Sequence, residues 1–230
     1  MIQNLLSLRE EEIFKTLKAL QYCNFVTIGG YAVNAYTLPR FSVDCDIVVR
    51  DKEELHKIEK ILLSLNYIKR QSSSELPYSG AFLRYEKRIA NTFIVSIDVL
   101  IQTISDRGTE STFSAVWVFE NSSMKKLKGK TITEELKIRI IRLDALLVMK
   151  IISCRSSDIR DVFMMLPYVK DKAWVRSEVD KRYDIKERFA KILDTVESKQ
   201  FRDGLFGVYG SFDQKVFEKH KKAVLGFVMN

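Results

Sequence analysis

The chain has few of the residues that cross-link proteins or bind soft metals. Its 230 residues include only three cysteines and two histidines. Cys23, Cys45 and Cys154 are odd in number and lack C-x-x-C spacing, which argues against a disulfide framework or a zinc site and favours small, reduced core residues. With only His56 and His220, a histidine-rich metal site is excluded. Any divalent cation must therefore be held by carboxylates, which favours Mg²⁺ or Mn²⁺.

Long apolar runs are also missing. No stretch reaches the length of a membrane-spanning helix. The N-terminal sequence MIQNLLSLREEEIF carries acidic residues where a secretory signal needs an uninterrupted apolar stretch. We therefore expect a cytoplasmic protein with no membrane partner. The 46% hydrophobic and 30% charged residues are typical of a soluble globular protein.

Positive charge exceeds negative charge, with a formal net charge of +8. Basic residues are dense within residues 125–142. Such a field suits a polyanionic partner, RNA or a nucleotide. A solvated basic surface explains any single cluster equally well.

Hydrophobic periodicity predicts a mixture of helices and strands, followed by a mainly helical region. Helices are predicted over residues 3–21, 31–36, 51–65, 143–154, 158–166, 185–198 and 213–225. Strands are predicted over residues 25–30, 44–49, 81–88, 91–101, 115–120 and 136–142. Turn residues predict a loop over 72–80, and the glycines of DGLFGVYGS (203–211) predict an interruption between helices. In the strand predicted over 115–120, Trp117 and Phe119 favour core packing over base stacking.

The strand SVDCDIVV (42–49) contains two aspartates. Alternate side chains of a strand share a face, so Asp44 and Asp46 point to one side, and Cys45 and Ile47 to the other. Two neighbouring carboxylates repel each other, and a divalent cation relieves that repulsion. A lone D-x-D pair also occurs by chance, so this spacing is a weak signal by itself.

A third aspartate, Asp98, lies in the apolar strand FIVSIDVLI. A buried carboxylate is costly unless it is paired or binds a metal. The alternative to a metal ligand is an aspartate bonded to backbone amides or to an arginine. Three carboxylates on two adjacent strands could hold two magnesium ions, the arrangement used for phosphoryl displacement.

Gly29 and Gly30 end a predicted strand and open a helix. Glycine permits close approach of a ligand and leaves backbone amides free for phosphate. The motifs G-x-x-x-x-G-K-[ST] and G-x-G-x-x-G are absent, so neither a P-loop nor a dinucleotide fingerprint is present.

The segment GGYAVNAYTLPRFSVDCDIVV resembles the signature of the polymerase-beta-like nucleotidyltransferase superfamily, and Asp98 matches its third metal carboxylate. Arg40 and Ser42, in R-x-S-x-D-x-D, resemble a variant found in abortive-infection-type nucleotidyltransferases, the toxins of some toxin–antitoxin pairs. The helical run K-x4-R-x2-D-x2-D resembles a further motif of that group, and its residues here are Lys150, Arg155, Asp158 and Asp161. The resemblance covers roughly residues 25 to 165.

The resemblance implies an α+β fold. A mixed or antiparallel nucleotidyltransferase sheet flanked by helices would form a catalytic domain over residues 1–142. A mainly helical region, residues 143–230, would complete the cleft.

The resemblance also implies a reaction, in which an acceptor attacks the α-phosphate of a nucleoside triphosphate (NTP) such as ATP, and pyrophosphate leaves. Asp44 and Asp46 would carry Mg²⁺ or Mn²⁺, and Asp98 would complete the second metal site and help deprotonate the acceptor. Gly29 and Gly30 would hold the β- and γ-phosphates.

Several further residues would surround the nucleotide, each with an alternative. Lys150 is expected to bind phosphate, or else to be a surface lysine. Asp158 and Asp161 share a helix face and either orient Lys150 or Arg155 or bind the nucleotide, or form a helix cap and a local ion pair. The other two expectations are that Ser42 shares the metal face and that Arg40 pairs with Asp44 rather than with a phosphate.

Three functions follow. The first is transfer of a nucleoside monophosphate to a macromolecular acceptor, a tRNA 3′ end or a protein, by a toxin with an antitoxin partner. The second is transfer to a small molecule such as an aminoglycoside, and the third is a non-catalytic module that binds a nucleotide or a partner.

Overall fold

The computed structural model describes residues 2–70, 78–79, 82–90, 93–210 and 213–229. The helices are α1 (Ile2–Ala19), α2 (Gly29–Asn34), α3 (Lys52–Ser64), α4 (Ala115–Glu120), α5 (Leu143–Ser153), α6 (Ser156–Met165), α7 (Lys172–Asp180), α8 (Ile185–Glu197), α9 (Lys199–Tyr209) and α10 (Gln214–Val228), with a 3-10 turn at Leu166–Tyr168. The strands are β1 (Val26–Ile28), β2 (Asp44–Val49), β3 (Ile68–Arg70), β4 (Tyr78–Ser79), β5 (Phe82–Ala90), β6 (Phe93–Ile101), β7 (Thr103–Asp106), β8 (Thr112–Ser114), β9 (Ser122–Leu127) and β10 (Leu136–Ile141).

In the described part of the chain, seven strands form a mixed sheet in the order β3-β5-β6-β2-β1-β10-β9. The pairs β2–β6 and β1–β10 are parallel, and the other neighbours are antiparallel. Helices α1 and α3 pack on the sheet, and β4, β7 and β8 form a small second sheet. This arrangement, followed by a mainly helical C-terminal part, confirms the predicted α+β class.

Most of the predicted elements are present. The strand predicted over 44–49 is β2, and the strands predicted over 81–88 and 91–101 form the antiparallel pair β5–β6. Strand β1 ends at Ile28, because the chain turns into α2 at Gly29. The loop predicted over 72–80 lies outside the described residues except for β4. The elements that were not predicted include helix α7 and the strands β3, β7, β8 and β9.

The segment AVWVFE, predicted as a strand, is instead helix α4. Ser114 Oγ accepts a hydrogen bond from the backbone N–H of Trp117, which caps the helix at 3.1 Å. Val118 and Phe119 are buried, and Val116 is exposed. Apolar residues occupy nearly every position of this segment, so the pattern fits both the helical and the strand period. The Ser114 cap favours the helix. As expected, Trp117 packs inside the protein, and its ring centroid lies 5.0 Å from that of Phe113.

The interruption predicted over 203–211 is also wrong, because α9 continues to Tyr209. Phe201, Leu205 and Tyr209 are buried at four-residue spacing, and their burial stabilises the helix despite its internal glycines. The helix ends at Gly210, whose φ of 87° lies in the left-handed region.

Two smaller expectations concern the cysteines and the membrane. Cys45 and Cys154 are buried and unpaired, and Cys23 is half-buried, as expected for small core residues. No helix in the described residues has both the length and the apolar character needed to cross a bilayer.

Strand β10 ends at Ile141 and α5 begins at Leu143. The division into residues 1–142 and 143–230 remains a prediction.

Replacing the exposed glycines inside α9 should stabilise the protein. A Cβ at Gly204 or Gly207 would meet no other atom within 4 Å, so each Gly→Ala change should raise the free energy of unfolding by about 0.5–1 kcal/mol. Urea denaturation measures the change. Gly210→Ala is the control and should destabilise, because its φ of 87° strains a residue with a side chain. A loss of stability in Gly207→Ala would contradict the helix.

Candidate functional site

A cavity of about 340 Å³ lies where the sheet meets α5 and α6. Asp44 and Asp46 of β2 lie on one wall, together with the turn that opens α2. Lys150 of α5 and Arg155, which precedes α6, lie on another wall. Acidic and basic side chains predicted from separate motifs therefore line one cavity.

The sheet register brings the three predicted carboxylates together. In the parallel pair β2–β6, Asp46 is the register partner of Asp98, and Asp44 is the partner of Ser96. Register partners and alternate residues share a face, so Asp44, Asp46 and Asp98 lie on the same side of the sheet. Asp46 and Asp98 are buried, and the side chain of Asp44 is 31% exposed. The cavity is lined by Asp44 and Asp46 but not by Asp98.

The carboxylate of Asp98 is bound by an arginine. Arg84 is its register partner in β5, and its Nε and Nη2 donate to the two oxygens of Asp98 at 2.8 and 2.6 Å. Nη2 also lies 3.6 Å from Asp44 Oδ2. Within the described residues, no group of three or more His, Cys, Asp or Glu side chains is placed to hold a metal ion. The arginine alternative for Asp98 is therefore present, and Asp44 and Asp46 remain as the pair that faces the cavity.

The local charge favours a cation beside this pair. Burial raises the pKa of Asp46 well above its ordinary value, and the charges of Asp44 and Asp98 raise it further. Burial also raises the pKa of Asp98, although Arg84 opposes that shift. Carboxylate oxygens with incompletely neutralised charge are the donors that a hard divalent cation prefers. Asp44 and Asp46 thus fit such an ion, with Asp98 available only if Arg84 releases it.

The two glycines are required by the site side chains that pack on them. Gly29 has a φ of 66°, and a Cβ there would lie 1.9 Å from Asp46 Oδ2. A Cβ at Gly30 would lie 2.3 Å from Ser42 Oγ. Ser42 precedes β2, is buried, and lines the cavity. Glycine at both positions therefore lets the carboxylate and the hydroxyl lie directly against the backbone.

Lys150 is held by two aspartates of α6. Its Nζ lies 2.6 Å from Asp158 Oδ1 and 3.0 Å from Asp161 Oδ2, and its side chain is 12% exposed, so it is not a surface lysine. The backbone N–H of Arg155 donates to Asp158 Oδ2 at 3.3 Å. Asp158 therefore both orients Lys150 and caps α6, so both interpretations of this aspartate hold.

Arg40 pairs with Asp161, and the expected pairing with Asp44 is wrong. Its Nε and Nη2 donate to the two Asp161 oxygens at 2.9 and 2.7 Å. Asn34 bonds both backbone groups of Arg40, at 3.1 and 2.9 Å, and so fixes the segment from which this side chain reaches α6. Burial alone would raise the pKa of Asp161, but Lys150 and Arg40 outweigh it and lower the pKa.

Arg155 is positioned by a residue that sequence reasoning missed. Asp106, at the end of β7, accepts from Arg155 Nη2 at 2.7 Å and from Ser153 Oγ at 2.9 Å. Its other oxygen accepts from the backbone N–H groups of Gly108 and Thr109. The Arg155 side chain is 42% exposed and lines the cavity. The only sequence signal for Asp106 is the turn-forming D-R-G-T.

Comparisons with known proteins add little. No family model matches the chain, and no curated protein matches it. Among solved structures, the chain is similar to a crystal structure from H. pylori whose assignment as a nucleotidyltransferase is itself provisional. The two share 14% identity over 96% of this chain and 94% of that chain, with a TM-score of 0.49. At these values the likeness carries no argument about function, and the case rests on the residues of the cavity.

Removing the Asp161 carboxylate should strongly destabilise the protein. Asp161→Asn leaves the buried Arg40 and Lys150 with too little negative charge, which should cost about 3–5 kcal/mol of the free energy of unfolding. Because the folded state lowers the Asp161 pKa, this contribution is present above its ordinary value of 3.8 and is lost as the pH falls below it.

Urea denaturation between pH 7 and pH 3 tests this expectation. The difference in the free energy of unfolding between wild type and Asp161→Asn should be largest near neutral pH and should become smaller in acid. Glu135→Gln is the control, because it removes a carboxylate from an exposed ion pair with Lys126. It should leave the urea concentration at the midpoint of unfolding unchanged. Equal effects of the two substitutions at pH 7 would contradict the role assigned to Asp161.

Proposed function

We propose that the protein is a metal-dependent nucleotidyltransferase that moves a nucleoside monophosphate from an NTP to an acceptor. The observation that carries this proposal is that one cavity has both an acidic and a basic wall. Asp44 and Asp46 supply a carboxylate wall, and Lys150 and Arg155 supply a cationic one. A triphosphate with its divalent ion needs both, one for the metal and one for the phosphate oxygens.

The carboxylates and glycines would define the reacting end of the nucleotide. A magnesium ion held by Asp44 and Asp46 would neutralise phosphate charge and stabilise the pyrophosphate that leaves. Gly29 and Gly30 would let the phosphates approach the backbone, and Ser42 would contact them from the next segment. Asp98 would join as a third carboxylate, for the ion or for the acceptor proton, once Arg84 has moved.

The cationic wall would hold the phosphate chain in line. An ammonium group has three N–H donors, and Lys150 directs two of them to Asp158 and Asp161, which leaves one for a phosphate oxygen. The guanidinium of Arg155 is held by Asp106, and its side chain is 42% exposed at the cavity, where it would add positive charge beside the phosphates. Asp158 and Asp161 act through Lys150 as positioning residues.

The apolar part of the cavity would receive the base and sugar. It is formed by Ile104, Phe113, Leu146 and Met149. A volume of about 340 Å³ lies within the range of small-ligand sites. Nothing in this lining favours one base over another.

The acceptor in this proposal is a macromolecule, a tRNA 3′ end or a protein. The net charge of +8 favours a polyanionic acceptor. Lys125 and Lys126 are exposed on β9, which is an edge of the seven-stranded sheet, and could follow a phosphate backbone. A role as a toxin with an antitoxin partner belongs to this same proposal.

One observation favours a second candidate, a non-catalytic nucleotide-binding module. Arg84 neutralises Asp98, and a protein that had abandoned metal catalysis would gain from such an internal counter-ion. The pair Asp44 and Asp46, both facing the cavity, argues for the enzyme.

A transfer assay distinguishes these candidates. Purified protein is incubated with Mg²⁺ and each of four α-³²P-labelled NTPs, either with total tRNA or alone. Label on RNA or on the protein should appear, and Asp46→Asn should reduce it by at least about 100-fold. Asp203→Asn, which removes an exposed carboxylate of α9, is the matched control and should leave the label unchanged.

The opposite result is equally informative. If no NTP yields label and Asp46→Asn binds nucleotide as wild type does, the enzyme proposal fails and the binding module is favoured.

A further inference from the structure

We propose that Arg84 is a resident cation that competes with a second divalent ion for Asp98. In the resting protein one ion would bind at Asp44 and Asp46, and a second would enter only when Arg84 leaves. This inference rests on the metal site of the proposed function and adds a control on its occupancy.

Strand register places the guanidinium in the row of carboxylates. Arg84 of β5 is paired with Asp98 of β6, and Asp98 is paired with Asp46 of β2. The three side chains therefore lie side by side across three adjacent strands. Arg84 is part of this row because of strand pairing, not because of a chance surface contact.

Arg84 occupies both oxygens of Asp98. Both of its oxygens accept from Arg84, at 2.8 and 2.6 Å, and the carboxylate is fully buried. A guanidinium is charged at every accessible pH and binds carboxylates in this forked geometry. A metal ion that used Asp98 would need the space and the oxygen lone pairs that Arg84 now occupies. Nη2 also approaches Asp44 at 3.6 Å, so Arg84 spans the site.

Arg84 has access to solvent. Its side chain is 20% exposed, in contrast to the fully buried Asp98. Glu86 lies two residues further along β5, on the same face, and offers the displaced guanidinium another carboxylate. Glu86 Oε2 already accepts from Arg70 Nε at 2.7 Å, so a displaced Arg84 would share this carboxylate with Arg70.

Counting bound Mn²⁺ tests the proposal without using activity. The metal-free full-length protein is titrated with Mn²⁺ alone, and free ion is measured by electron paramagnetic resonance. Wild type should bind one ion per chain, and Arg84→Gln should bind two. Arg139→Gln is the matched control, because it removes the same charge from β10 of the same sheet, outside the row of carboxylates, and should still bind one. Asp46→Asn should abolish tight binding.

A second variant keeps the test decisive if Arg84→Gln does not fold, which circular dichroism checks. Asp98→Asn preserves the shape of the side chain and an acceptor for Arg84. If Arg84 withholds Asp98 from the metal, Asp98→Asn should change the Mn²⁺ dissociation constant less than about threefold. Asp44→Asn should raise the same constant at least about tenfold.

Four results would each overturn the inference. They are two ions bound by wild type, one ion bound by folded Arg84→Gln, a tenfold loss of affinity in Asp98→Asn, and absence of Mn²⁺ binding in wild type and Arg84→Gln alike. The transfer assay reports separately on the proposed function. If label is transferred but Arg84→Gln binds the same number of Mn²⁺ ions as wild type, only the role of Arg84 is rejected. If the numbers of bound ions are as expected but no label is transferred, only the proposed enzyme activity is rejected.

Discussion

The parallel pairing of β2 with β6 is the constraint on which the site depends. It sets Asp46 beside Asp98, and the antiparallel neighbour β5 then sets Arg84 beside Asp98. Three charged side chains thus meet inside an otherwise apolar sheet. Burial makes each charge expensive alone, so strand register, which sets the mutual arrangement of these side chains, determines how far their charges compensate one another.

A buried ion-pair network joins this sheet to the helices that follow it. Asp161 of α6 binds Arg40, which precedes β2, and also Lys150 of α5. The same network fixes Lys150 at the cavity, so the packing of α5 on α6 and the position of this cation depend on the same side chains. Asp106 plays the corresponding role for Arg155 from the small second sheet. Arg40 and Arg155 are therefore each held by an acidic residue distant in sequence.

Local sequence predicted the helices and strands in which the apolar residues follow a single period. The strand over 44–49 and the helices α5, α6, α8 and α10 were found, because their apolar residues recur with one clear spacing. The segment 115–120 failed because its residues are nearly all apolar, and the Ser114 cap selected a helix. Residues 203–211 failed because glycine suggests a break, whereas burial of Phe201, Leu205 and Tyr209 outweighs its low helix propensity.

The sequence by itself determined the chemistry: two carboxylates on one face of a strand, a third in an apolar strand, and adjacent glycines. Alternation along a strand is local, so these inferences needed no tertiary information. Only the tertiary structure decided the partners, since it paired Arg84 with Asp98 and Arg40 with Asp161. Ion pairs form between residues far apart in the chain, and their choice depends on strand register and helix packing, which no local pattern encodes.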